Sequence, residues 1–223
     1  MKNRGAAWAG IVGPALFVLV FMIEGRLRPN YSPISTFVSE LSLGPRGWVQ
    51  IANFMITGGL LLVFARGVAA QFREGKASKA GPLLLTIIAC CLLISGPLVT
   101  EPSTAAPVTL HGILHGIFGA VVFSLAPISC FVFFRRFRDD PTWHPLHWWT
   151  LAAGVIIVVA VVLMKAGQLS TSGLHAWLGL IQRVALITYM AWIATFALRL
   201  LTRTNVTAVR SRPSQEQVPP HAV

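Results

Sequence analysis

The sequence predicts an all-α, polytopic membrane protein with six transmembrane helices in one bundle. Three observations predict it. The 223-residue chain carries six long, continuously apolar runs. The loops between them alternate between strongly and weakly basic. Most tryptophans lie near the ends of the runs. A helix needs roughly 20 residues to cross the ~30 Å hydrocarbon core, and these runs are about 17–25 residues long. Inside lipid every backbone N–H and C=O must be satisfied within the protein, which leaves helices or a closed barrel. Barrel strands would read as short segments of alternating polarity, and these runs do not alternate. At 55% hydrophobic and 11% charged residues, the chain is far from the soluble norm of about 25% charged.

The first run, Ala6–Ile23, follows Lys2 and Arg4. It is longer than the about 7–15 residues of a signal-peptide core, and no small-residue cleavage site follows, so it reads as a retained helix. The second and third runs are Trp48–Ala70 and Gly81–Leu98. The fourth, Leu110–Phe134, carries His111, Gly112, His115, Gly116 and Gly119, a small-residue spacing that favours close helix approach. Pro127 is a kink position within it. The fifth, Trp148–Met164, has no polar side chain below Thr150 and is expected to face lipid. The sixth is Leu174–Leu198. Residues 1–204 thus form one six-helix domain. The polar, proline-containing segment 205–223 is expected to be a disordered cytoplasmic tail. Cys90, Cys91 and Cys130 fall inside runs and read as packing residues, not as a disulfide framework.

The loops differ in kind. The first, Glu24–Gly47, is the only long one. Its Ile34, Phe37, Val38, Leu41 and Leu43 are more apolar than a solvated loop needs. A short helix from Ser35, ended by Gly44-Pro45, is expected to lie on the bundle as a cap. Thirteen of the 18 Lys and Arg residues fall before the first run, after the second, fourth and sixth, and in the tail. By the positive-inside rule both termini are cytoplasmic, and a cell (inner) membrane location is expected. The net charge of +11 is therefore an orientation signal with some attraction to anionic lipid, not a nucleic-acid footprint. Trp8, Trp48, Trp143, Trp148, Trp149 and Trp177 are expected to form interfacial belts, with Trp192 deep.

Ionisable groups in a membrane are costly, and each is a functional candidate. They gather at the outer end. His111 and His115 are four apart and share a helix face. His175 begins the sixth run, with Gln182 on nearly the same face and Arg183 about 12 Å deeper. Glu101 lies in the third loop; Tyr31, Ser39 and Glu40 lie in the first. Four readings compete. These residues could line a pocket for a lipid head group or small ligand, with Arg183 as a bidentate anchor. His111, His115 and His175 could hold zinc. Haem is disfavoured, because the histidines lie on one side only. Or the cluster is structural, with Arg183 paired to Glu101 or Glu40. Ser39 as a nucleophile is weaker than Ser39-Glu40-Leu41 as a helix-and-turn element.

Four segments carry a resemblance: AGIVGPALFVLVF; LRPNYSPISTFVSELSLGPRGWVQIANF; LHGILHGIFG; and GLIQRVALITYMAWIATFALRL. Arg-Pro-x-Tyr-Ser followed by Ser-Glu-Leu-x-x-Gly is the most specific part. On these the chain resembles the prokaryotic membrane family catalogued as domain of unknown function 998. That resemblance implies a six-span membrane fold and names no reaction. The functional expectation is an extracytoplasmic polar pocket that binds a lipid head group or small ligand, in sensing or transport. The alternative is a metal-dependent, membrane-embedded hydrolase using the outer histidines. Membrane lipids are the expected partners, and nucleic acid is not one.

Overall fold

The computed structural model describes residues 2–102, 109–169 and 173–210. Its helices are α1 (Lys2–Leu27), α2 (Gly47–Gln71), α3 (Ala80–Ser95), α4 (Leu110–Asp139), α5 (His147–Leu169) and α6 (Leu178–Arg210). There is no strand among the described residues. Short 3₁₀ turns at Val38–Ser42, His144–Leu146 and Gly173–Trp177 interrupt three of the loops. Each helix packs on its neighbours in sequence, and α6 returns to α1, so the six close into a ring.

Five helices are long and apolar enough to cross a membrane, and α3 is a shorter apolar helix of 16 residues, rising roughly 24 Å. It stops at Ser95, short of the expected Leu98, with Gly96 as its C-cap and Pro97 directly after. α6 begins at Leu178, not Leu174, since the turn Gly173–Trp177 precedes it. It continues to Arg210, so residues 205–210 are helical where a tail was expected. The remaining tail, 211–223, lies outside the described residues.

The outer surface is apolar. Leu19, Leu83 and Val162 are each about three-fifths exposed. In water such a surface would be an association patch; against lipid tails it carries no penalty. α5 shows the pattern clearly. Ala153, Gly154, Ile157 and Ala160 are buried, while Val155, Val159 and Val162 face outward. Only one face of α5 therefore meets lipid, and its small residues let α4 and α6 approach the other. All three cysteines are free thiols.

Aromatic rings fill the end of the ring that holds the termini. Phe196 of α6 lies 5.0 Å from Phe133, 5.1 Å from Phe137 and 5.4 Å from Phe64. Edge-to-face pairs of this kind add to the energy of plain burial. Trp143, expected in a belt, is fully buried, 5.4 Å from both Phe137 and Phe196. The turn after α4 tucks it beneath the bundle. Trp8, Trp48, Trp148 and Trp177 are exposed, as belt residues should be. Trp192 is deep, and its indole N–H donates to Thr150 Oγ1 at 3.0 Å. Among the described residues the opposite end holds a smaller aromatic group, Phe17, Phe21 and Phe54.

Candidate functional site

The first loop is an ordered cap. Arg46, just before α2, donates two hydrogen bonds to Glu24 of α1, at 2.5 and 3.0 Å, which draws the loop's ends together. Val38 and Leu41 are buried, as their apolar character requires. The Glu40 carboxylate accepts from the Phe37 N–H at 3.2 Å and starts the 3₁₀ turn, in the manner of a capping box. Arg28 donates to the Glu40 carbonyl at 2.6 Å.

The cap is clasped to the first turns of α6. The Leu180 N–H donates to Ile34 O at 2.8 Å. The Val38 N–H donates to Gln182 Oε1 at 2.6 Å. Arg183 Nη1 donates to Pro33 O at 2.6 Å and to Thr36 O and Gly179 O at 3.0 Å each. Arg183 Nη2 donates to the Tyr31 hydroxyl, which donates in turn to Phe37 O at 3.0 Å. Gly179 permits the approach: a Cβ there would lie 2.4 Å from Thr36 O. Burial pushes the Tyr31 hydroxyl above its ordinary pKa, partly offset by the Arg183 charge.

The expected pairing of Arg183 with Glu101 or Glu40 is therefore corrected. The guanidinium is almost fully buried and donates to two loop carbonyls, one carbonyl of its own helix and a phenol. A planar group with five N–H donors suits several convergent oxygens better than one carboxylate.

Beneath the cap, between α3, α4, α5 and α6, lies a cavity of about 560 Å³, within the roughly 300–1,000 Å³ of small-molecule sites. Ser39, Glu101, Lys165, Gln168, His175 and Gln182 line its upper part. Phe54, Val122, Phe123, Val161 and Leu186 line its lower part. Of the candidate residues, Ser39, Glu101, His115, His175 and Gln182 thus meet at one cavity. Tyr31, Glu40 and Arg183 belong to the clasp. His111 is exposed on α4 and does not line the cavity. Among the described residues no three of His, Cys, Asp and Glu come close enough to share a metal, so His111, His115 and His175 are not assembled as one set.

His115 is the most constrained member. It is buried, and its Nδ1 lies 2.6 Å from Leu98 O and 3.3 Å from Ser95 O. A carbonyl can only accept, so Nδ1 carries the proton and Nε2 is left as an acceptor. Among the described residues Nε2 has no hydrogen-bond partner. Glu101 is tied to the start of α4: its Oε1 accepts from the Thr109 N–H at 2.9 Å, and Gly112 leaves room for the carboxylate.

Two features escaped the sequence. Lys165 and Gln168 bring polar groups from α5, the helix expected to face lipid. On α2, Gln50, Asn53 and Thr57 form a buried polar stripe at helical spacing, and Asn53 Nδ2 donates to Phe17 O at 3.1 Å. The spacing Gln-x-x-Asn-x-x-x-Thr within an apolar run was the available signal. The glycines of α4 also behave unexpectedly. A Cβ at Gly116 or Gly119 would meet nothing within 4 Å, so these residues open space where helix contact was expected.

Fold and cavity together define an all-helical, multi-pass membrane protein with an ordered cap over one end. The family model for a protein of unknown function, DUF998, matches residues 11–199. The chain belongs to that family, and the match takes in the clasp and the whole described lining of the cavity. No curated protein and no solved structure matches the chain.

Proposed function

We propose that all six helices span the inner membrane, with both termini cytoplasmic and the capped end extracytoplasmic. There the cavity binds a lipid head group or small ligand, in sensing or transport. The 13-to-4 bias of basic residues between the two sets of loops supports the orientation. The observation that carries the binding role is the buried His115, whose unpartnered Nε2 belongs to the cavity wall. A ligand N–H or O–H entering the cavity can donate to that acceptor. Mass-spectrometric identification of what co-purifies tests this. A defined small molecule or lipid should accompany the wild type and fall away in His115→Phe and His175→Ala. Equal retention in both variants rejects the proposal.

A second reading, the metal-dependent hydrolase, draws on the same histidine. Metal-binding imidazoles commonly donate their other N–H to a backbone carbonyl, as His115 does to Leu98. Stoichiometric zinc in protein purified without chelator, lost in His115→Phe, would favour this reading over the first.

A further inference from the structure

We propose that the occupant is an anionic membrane phospholipid that enters sideways between α4 and α5. Its phosphate sits by Lys165, and one acyl chain descends the gap between these helices. The inference rests on the pocket proposed above and names its substrate class and entrance.

The order of the lining is that of a lipid. Polar groups of the cap and the ends of α5 and α6 lie uppermost, and Phe54, Val122, Phe123 and Leu186 lie below. Along α4 the lining runs from Gly112 to Ser124. That is roughly 18 Å at 1.5 Å per residue, about the depth of one leaflet of a ~30 Å core.

The cavity also opens sideways. Gly116, Ala120 and Ser124 of α4, with Lys165 and Gln168 of α5, both line it and are exposed. At Gly116 and Gly119 a side chain would have filled the gap, since a Cβ at either meets only open space. At this depth the surrounding solvent is hydrocarbon, so a slot open to it is filled by a chain and not by water.

Charge selects the head group. Lys165 and Glu101 are the charged side chains of the lining. Glu101 is committed to the α4 terminus through the Thr109 N–H. Lys165 has no ion-pair partner among the described residues. An exposed ammonium beside an apolar slot suits a phosphate. The His115 Nε2 then accepts from a hydroxyl or ammonium of the same head group.

The test uses full-length protein in phosphatidylcholine nanodiscs containing some phosphatidylglycerol with a photoreactive acyl chain. Cross-links should map to residues 116–124 of α4. Gly116→Phe should cut their yield about tenfold, equivalent to roughly 1.4 kcal/mol, with no loss of thermal stability. Lys165→Gln should lower capture of phosphatidylglycerol relative to photoreactive phosphatidylcholine. Gly119→Phe repeats the blockade should the first variant prove unstable. Wild-type yield in both glycine variants overturns the proposal. So do cross-links confined to Val155, Val159 and Val162, which would mean annular lipid only. A ligand still lost in His115→Phe, without the α4 cross-links, would leave the pocket standing and remove the lipid chain from it.

Discussion

Arg183 of α6 donates a hydrogen bond to the hydroxyl of Tyr31, a residue 152 positions earlier in the chain. The pair solves two problems at once. A guanidinium cannot lose its charge, and at membrane depth it costs at least about 2.5–3.5 kcal/mol. A loop folded onto a bundle, for its part, has carbonyls that must find donors. Arg183 Nη1 supplies those donors to Pro33 and Thr36 of the loop and to Gly179 of its own helix, and Nη2 donates to the Tyr31 phenol. The cap over the cavity is thus fastened from below.

Breaking this clasp should cost stability before it costs ligand contact. Arg183→Met is expected to destabilise by about 2–4 kcal/mol, since it removes several charged hydrogen bonds and orphans their acceptors. Tyr31→Phe should cost about 1–2 kcal/mol, and the double variant should show a coupling of about 1 kcal/mol. Thermal unfolding in detergent measures all three. Limited proteolysis between 28 and 46 should speed up in each variant. An Arg183→Met protein with wild-type stability and an intact loop would refute the clasp.

The clasp should weaken at high pH. Tyr31 is held above its ordinary value near 10 by burial. A group whose folded pKa is raised contributes stability that is fully present below the unfolded pKa and is lost as pH rises through the folded one. Loop protection should therefore be constant from pH 7 to about 9 and fall above about 10. Tyr31→Phe should lack that alkaline limb. An identical limb in wild type and variant would assign it to other groups.

Much of this was legible in the sequence. Element number and order followed from apolar runs, because lipid forces the backbone into helices whatever the side chains do. Val38 and Leu41 signalled a docked loop. The cluster of Ser39, Glu101, His115, His175 and Gln182 was legible because intramembrane polar groups are few. What was missed depended on facing, which residue spacing constrains only loosely. Arg183 and Gln182 are adjacent, yet one turns to the loop while the other also meets the cavity. Lys165 falls just past the expected end of the fifth run and counted only as an outer-side charge, whereas α5 continues to Leu169 and carries it along the cavity. Gly116 and Gly119 carry the small-residue pattern of a helix contact, and only the neighbours' positions reveal a gap.

Orientation can be checked directly. Reporters within 71–79, within 135–140 and at the C-terminus should be cytoplasmic, and tags at Ser32 and Ser103 should be accessible from outside. The basic bias drives this expectation. An exported C-terminal reporter would put the cap and cavity on the cytoplasmic side, and the lipid would then have to come from the inner leaflet.

Glycines of two kinds should respond oppositely to the same substitution. At Gly179 an added Cβ strikes the backbone oxygen of Thr36 at 2.4 Å, and a backbone atom cannot swing aside as a flexible side chain does. Gly179→Ala should cost about 1–3 kcal/mol, as overpacking does, and should loosen the cap. At Gly116 and Gly119 the Cβ enters open space. Alanine there should stabilise α4 by about 0.5–1 kcal/mol through its better helix propensity. Thermal unfolding of the three single variants separates the cases. Should Gly116→Ala destabilise as much as Gly179→Ala, something must pack against α4 at that point in the membrane. A second copy of the chain would then be the first occupant to test, by cross-linking across that face. The gap between α4 and α5 would be an interface and not an entrance.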